Sequence, residues 1–343
     1  MVVKAYACYS KDEELLKKSS SGGFFSIIAN YVINSNGVVY GVALDNDCYS
    51  ARYIRTDNKI GLEKIRGSKY LQAKIGTAYI DVKKDLQEKK LVLFTGTGCQ
   101  INGLKKYLMS DYENLICVDV LCHGASSPKI WRKYVEWLEK LKNNKVVNVN
   151  FRCKEKGWKE FGIEKVDSKS QKYYSPKDTD PYMKLFLENY SLRPSCFECT
   201  AKNYKLSDIS MADFWKIEDV ASEMENEMGV SLVLCRTEKG RKIFQYISQE
   251  IKYKEVPYKD AIKGNPVEYQ SVERPMMRED FFKDAEKMEF NKLIKKYPVI
   301  SLKRRVKNIV LKTPLKKWIG GGQIERSKND NYGLLFIFKN DNL

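Results

Sequence analysis

Over its first 145 positions the chain alternates short apolar runs with amphipathic stretches. Residues 3–9 read as a short strand. SSSGG at 19–23 opens a helix through GFFSIIANYVINSNG, which Gly37 stops. VVYGVAL (38–44) and SARYIRT (50–56) predict paired strands joined by the polar turn DNDCY. A helix is predicted over 77–90, then β-rich LVLFTGT (91–97), helical QINGLKKYL and a buried strand LICVDVL (115–121). The amphipathic helix SSPKIWRKYVEWLEKLK follows, with a Ser cap and Pro128 in its first turn. Strand, helix, strand, helix predicts parallel βαβ units.

Beyond residue 145 the pattern is mixed. VVNVNFRC and FGIEKVD read as hairpin strands, PYMKLFLENYSL as helix, DISMADFW and VSLVLCR as strands, and KGRKIFQYISQE as helix. The expected fold is α/β, with a mostly parallel N-terminal part (1–145), a mixed α+β second part (146–295), and a basic amphipathic segment with a polar tail (296–343). No internal repeat or low-complexity tract appears.

Composition narrows the class. At 43% apolar and 12% aromatic residues the chain can bury a sizeable core. No run of about 18 uncharged apolar residues occurs, so no membrane-spanning helix is expected. The opening MVVKAYACYSKDEELLKK charges too soon for a secretory signal, which points to the cytoplasm, where thiols stay reduced. Nine cysteines then divide into buried apolar ones and a metal or redox set. The net charge of +17 suits an anionic membrane face, a phosphorylated cofactor or an acidic partner, but Lys is spread along the whole chain. No nucleic-acid module is recognisable, so nucleic acid is not an expected partner. His123 is the single histidine, which excludes a His-rich zinc site.

Cys99 follows strand 91–97 and Cys122 ends strand 115–121. Both sit at strand carboxyl ends, where open α/β sheets bind ligands. If these strands are neighbours, a spacing of about 5 Å brings their loops together. With Cys196 and Cys199 of SCFEC they form C-x22-C-x73-C-x2-C. Four thiolates can hold zinc or a 4Fe–4S cluster. Only one pair is local, which suits a cluster buried in a domain, but spacing alone leaves zinc and no shared site open. Cys8, Cys117 and Cys235 read as core.

Three stretches could cradle phosphate. Ser20, Ser21, Gly22 and Gly23 precede a helix, whose N-terminus favours anions. Thr95 and Gly96, in TGTGCQ before another helix, make a second candidate. In IRGSKYLQAKIG, Arg66 and Lys69 flank Gly67 and could hold a pyrophosphate, while Tyr70 could stack on a ring. Together these suggest a phosphorylated planar cofactor near sulfur ligands.

SSSGGFFS, VVYGVAL, IRGSKYLQAKIG, LFTGTGCQINGLKKYL, DVLCHGASSP, FRCKEKGW, RPSCFECTAKN, SDISMADFW and GVSLVLCRTEKG occur in that order. This ordered set, over roughly residues 5–240, resembles the coenzyme F420 hydrogenase/dehydrogenase beta-subunit family. The resemblance implies an α/β fold with a mixed second part, binding FAD and a 4Fe–4S cluster and passing electrons between cluster, flavin and a small-molecule substrate. It implies Cys99, Cys122, Cys196 and Cys199 as cluster ligands, and Ser20, Ser21, Gly22, Gly23 and Lys69 beside the flavin. Candidate substrates are a deazaflavin or a polysaccharide-pathway compound. Gly98 stands where many relatives have Pro, Cys153 where many have Asp, and Lys216 where many have Gly; Asp213 and Trp215 remain. The chain has no C-x2-C-x2-C-x3-C-P ferredoxin run, so the resemblance implies an external electron donor such as a ferredoxin or a partner subunit.

His123, beside a proposed ligand, is expected to donate to a cluster sulfur. A second reading is non-enzymatic: a zinc- or cluster-stabilised scaffold for polysaccharide assembly. Its membrane contact would run through 302–319, where Lys and Arg face Ile309, Val310, Leu311, Leu315 and Trp318.

Overall fold

The computed structural model describes residues 2–297. The basic stretch 302–319 lies outside them. Twelve strands are described: β1 (Lys4–Ser10), β2 (Val38–Leu44), β3 (Ala51–Thr56), β4 (Ala73–Lys74), β5 (Val92–Thr97), β6 (Leu115–Val120), β7 (Val146–Cys153), β8 (Gly162–Asp167), β9 (Lys172–Pro176), β10 (Ile209–Asp213), β11 (Ser231–Cys235) and β12 (Ile251–Val256). Nine of them form one sheet in the order β12-β1-β11-β10-β6-β5-β2-β3-β4, and β7-β8-β9 form a small antiparallel sheet. The chain has an α/β fold. Its central block, β2-β5-β6-β10, is parallel, as the alternation of strand and helix predicts.

Successive residues of the central strands enter cores on opposite faces. Val38, Tyr40, Val92, Phe94, Leu115 and Cys117 join one core; Val39, Leu93, Ile116 and Val118 join the other. A strand covered on both faces reads as a continuous apolar run, which is why 91–97 and 115–121 are recognisable in sequence. Helices Gly98–Leu108, Pro128–Lys142 and Pro181–Leu187 serve the first core, and helices Phe24–Asn34 and Glu238–Ile247 the second.

The structure adds what local pattern does not reveal. β1 pairs antiparallel with β11 and β12, more than 220 residues away along the chain. Strands from both sides of residue 145 therefore build one sheet. β9, β12 and helices Glu13–Lys18, Lys59–Ile65, Arg278–Lys287 and Phe290–Lys296 are further additions. The predicted helix in PYMKLFLENYSL stops at Leu187, because Ser191 and Leu192 are drawn into pairing with Ser126 and Ser127.

Candidate functional site

The sheet's directions decide what shares an edge. β5, β6 and β10 run parallel. β11 is antiparallel to β10, and β1 is antiparallel to β11, so β1 runs the same way as β10. The carboxyl ends of β1, β5, β6 and β10 thus lie on one edge. That edge receives Ser20–Gly23, Cys99, Cys122 and Asp213.

Cys99 is the second residue of helix Gly98–Leu108, and the Thr97 hydroxyl lies 3.1 Å from its Sγ. Gln100 fixes this turn, its Oε1 accepting the Thr97 N–H at 2.9 Å. The Thr200–Lys202 turn packs against it: a Cβ at Gly98 would lie 3.3 Å from the Ala201 Cβ. Asn102 joins the same two segments, donating to Tyr204 O at 2.7 Å and accepting from Leu206 N at 3.2 Å. Cys199 therefore comes to the side of Cys99.

Cys196 arrives by a different route. Arg193 N–H donates to Ala125 O, and Ser127 N–H to Ser191 O, so residues 191–193 run against 125–127 just beyond Cys122. Ala125 N–H then donates to Cys196 Sγ at 3.3 Å. Cys122 lies within electrostatic reach of the other three thiols, and Cys196 of Cys99 and Cys199. Burial pushes the Cys122 thiol up to about 12, opposed by Lys202, with Cys196, Cys99 and Cys199 adding to the rise. Burial likewise raises Cys196, the Ala125 N–H opposes it, and Cys99 and Cys199 add to it. No cysteine is in a disulfide, and Cys8, Cys117 and Cys235 are buried in the core. Among the described residues, no group of three or more His, Cys, Asp or Glu side chains is arranged to hold a metal ion.

The Ser/Gly loop is locked to the sheet. Gly22 N–H donates to Ser231 Oγ at 3.0 Å, and Gly22 O accepts from Ser10 N–H at 2.7 Å. A Cβ at Gly22 would lie 2.4 Å from Cys8 O, so only glycine fits. Gly23, at φ +88°, turns the chain into helix Phe24–Asn34. The Ser21 hydroxyl donates to Val230 O at 2.9 Å, and the Ser20 hydroxyl accepts the Ser68 N–H at 3.0 Å. The third stretch is thereby joined to the first. Arg66 ties it further, donating from Nε to Ser26 Oγ at 2.8 Å.

Lys69 donates to the carbonyls of Lys64, Ile65 and Arg66, closing the end of helix Lys59–Ile65. Burial, with Arg66 adding, pulls its pKa down to about 7. Tyr70 packs on Phe186 at 4.9 Å and edge-on to Phe151 at 5.8 Å.

Thr95 and Gly96 make contacts within the fold. The Thr95 hydroxyl is buried and donates to Tyr40 O at 3.1 Å. The space beside Gly96 is taken by the Tyr53 hydroxyl, 2.1 Å from where a Cβ would be. His123 Nε2 pairs with Asn189 Oδ1 at 2.7 Å, and its ring packs on Phe186.

Two basic residues and one acid at this edge were not among the predicted site residues. Arg152 Nη2 reaches Asp213 Oδ2 at 2.8 Å and Ser20 O at 3.4 Å, while its Nε is buried without a partner. Lys154 donates to Leu16 O, Ser21 O and Met228 O. Burial raises the Asp213 carboxyl, against the pull of Arg152 and Lys154. Trp158 and Trp215 stack beside them at 5.0 Å. These residues have no diagnostic spacing; their sequence signal is that they lie within FRCKEKGW and SDISMADFW.

Comparison with known proteins gives two family matches, both to the beta subunit of coenzyme F420 hydrogenase/dehydrogenase. Its N-terminal part matches residues 5–78, and its C-terminal part matches residues 89–261. Among solved structures, the chain is similar to one from the xenon-derivatised F420-reducing NiFe hydrogenase complex of Methanosarcina barkeri. That similarity has a TM-score of 0.52 at 17% identity and covers 88% of this chain and 94% of that one. No curated protein matches the chain.

Proposed function

Because the chain belongs to the coenzyme F420 hydrogenase/dehydrogenase beta-subunit family, a family of oxidoreductase subunits, we propose that it relays electrons between a 4Fe–4S cluster, FAD and a small-molecule substrate. The observation that carries this reading is the convergence of four cysteines, from three separate segments, on the sheet edge that also holds the Ser/Gly loop.

Four thiolates are the usual ligand set of a 4Fe–4S cluster. Thiolates on a cubane bind four different irons and stand further apart than the ligands of one ion. Cys99, Cys122, Cys196 and Cys199 would hold it. The Ala125 N–H aimed at Cys196 Sγ is the kind of donor that tunes a cluster's potential. Ser20, Ser21, Gly22 and Gly23 would face the flavin phosphates, with the helix at Phe24 turning its positive end to them, and Lys69, whose N–H groups are taken by three carbonyls, would act through its charge. The buried Arg152 Nε, left without a protein partner, marks a polar group available to a ligand at this loop. When bound, the two cofactors supply one-electron transfer and its conversion to hydride chemistry.

A partner subunit or a ferredoxin would act as the electron donor; the solved structure of similar fold comes from a hydrogenase complex, which favours a partner subunit. A deazaflavin or a polysaccharide-pathway compound remains the substrate class. Nine cysteines without a disulfide suit a reducing compartment, and among the described residues no helix is long and apolar enough to cross a membrane.

The test is anaerobic purification followed by a visible spectrum and assays for iron, sulfide and zinc. Flavin bands with roughly four irons per chain are expected. A colourless protein that holds zinc and takes up no flavin on reconstitution would overturn the proposal.

A further inference from the structure

Lys202 lies three residues beyond Cys199. Its backbone N–H donates to Cys199 O at 3.1 Å. Its Nζ donates to Cys122 O and to Val267 O, each at 2.5 Å. One residue therefore spans the loop after β6, the turn behind the cysteine pair, and the 265–273 segment.

That segment clasps the cysteine loops at several points. Cys199 N–H donates to Ser271 Oγ at 3.0 Å, Lys205 Nζ to Glu268 O at 2.6 Å, and Asn189 Nδ2 to Glu273 O at 3.0 Å. Glu268 is buried and fully engaged, taking both Arg236 contacts at 2.8 Å and the Tyr258 hydroxyl at 2.9 Å. Lys205 also sits 3.4 Å from it. Lys202, in contrast, pairs with no carboxylate among the described residues. Its ammonium adjoins Cys122, whose thiol feels it.

We infer that Lys202 is a positioning residue for the cluster. It ties three segments around the ligands, and its positive charge sets the potential at which the site takes up an electron. This rests on the cluster reading above. An added electron makes the site more negative, so a nearby cation favours the reduced state, most strongly where the surroundings are dry. Removing the cation makes reduction harder.

Lys239 is an internal control. It also spans two carbonyls, Tyr112 O at 2.9 Å and Leu115 O at 3.0 Å, but at the opposite end of β6. A purely structural loss is similar at both sites; a loss of charge beside the cluster is not.

The experiment compares wild type with Lys202→Met, Lys202→Gln, Lys202→Arg and Lys239→Met. Iron and sulfide are assayed, and the midpoint potential is read by redox titration followed by absorbance and electron paramagnetic resonance. K202M and K202Q should keep their iron and shift to a more negative midpoint, lowering the reduced-to-oxidised ratio at the wild-type midpoint about threefold or more. K202R and K239M should keep the wild-type potential. Loss of iron from K202M and K202Q, with K202R intact, also supports the tie. An intact cluster in K202M at the wild-type potential would overturn the inference, as would iron loss from all three Lys202 variants. Wild-type protein without iron and sulfide would instead remove the cluster reading itself.

Discussion

Arg152 Nη2 stands 2.8 Å from Asp213 Oδ2, with the two side chains 2% and 17% exposed. The pair joins the end of β7, in the small sheet, to the end of β10, in the large one. Arg152 also lies over the Phe161 ring at 3.6 Å and reaches Ser20 O. Through it the small sheet is fastened to the Ser/Gly loop.

This pair makes stability depend on pH in a definite direction. Burial raises the Asp213 carboxyl above its ordinary value. The folded state therefore holds that proton more tightly than the unfolded one. The resulting stability is present at low pH and lost as pH rises through the folded pKa. Arg152 offsets that loss. Arg152→Met should cost about 3–5 kcal/mol at neutral pH, because it leaves a buried carboxylate unpaired. The deficit should shrink as pH falls and Asp213 takes up its proton. Urea unfolding at pH 7 and pH 5 reads it directly; an equal deficit at both would exclude Asp213 as its source.

The cysteines separate into two groups by environment. Cys199→Ser should lose cluster iron. Cys235→Ser should keep it, since Cys235 is buried in β11 with its Sγ near Gly240 O. Its cost falls on stability instead, about 1 kcal/mol for burying a hydroxyl that has one acceptor in reach. Iron assays on the two purified variants decide between them; equal iron contents would refute the ligand assignment.

Lys69 predicts a pH profile for flavin binding. With its pKa pulled down to about 7 by burial, the free protein carries the charge below that pH and loses it above. An anionic phosphate is attracted only to the charged form. FAD affinity of the apoprotein should therefore weaken between pH 6 and pH 8, and Lys69→Met should bind about tenfold more weakly at pH 6 with a flatter profile. Fluorescence titration measures both. A flat wild-type profile would take Lys69 out of the flavin site.

Asp180 separates stability from cofactor content. Its Oδ1 caps helix Pro181–Leu187 through the N–H groups of Tyr182 and Met183. Its Oδ2 takes the Tyr134 hydroxyl at 2.6 Å and Lys165 at 3.1 Å. Asp180→Ala strips the cap and strands a Lys165 side chain that is 3% exposed. A loss of about 3–5 kcal/mol is expected in denaturant unfolding. Iron and flavin per folded chain should stay unchanged.

The parallel centre of the sheet was legible in the sequence. β5 and β6 are covered on both faces over Val92–Phe94 and Leu115–Val118, so each opens as an apolar run, and amphipathic helices follow each. The β2–β3 hairpin was legible too, because its turn is local. The four cysteines stood out because two ended those runs and two formed a close pair. Thr95 and Gly96, read as cofactor candidates, are engaged within the fold. A glycine at a strand end marks close approach by something, and only the folded chain shows that the Tyr53 hydroxyl occupies that space. His123 was expected to face the cluster sulfurs, whereas its Nε2 is engaged by Asn189, 66 residues along the chain.

Periodicity and turn residues report what a segment does with its immediate neighbours, so they yielded the α/β class, the main helices and the strand ends that carry Cys99 and Cys122. They are silent on pairings between distant segments. The seat of β1 between β11 and β12, the run of 191–193 against 125–127, the Arg152–Asp213 pair and the clasp of 265–273 on the cysteine loops all join residues far apart in sequence. Each is selected by packing and by the need to pair buried polar groups. Those long-range contacts, not the local pattern, gather the cysteines and the Ser/Gly loop on one edge of the sheet.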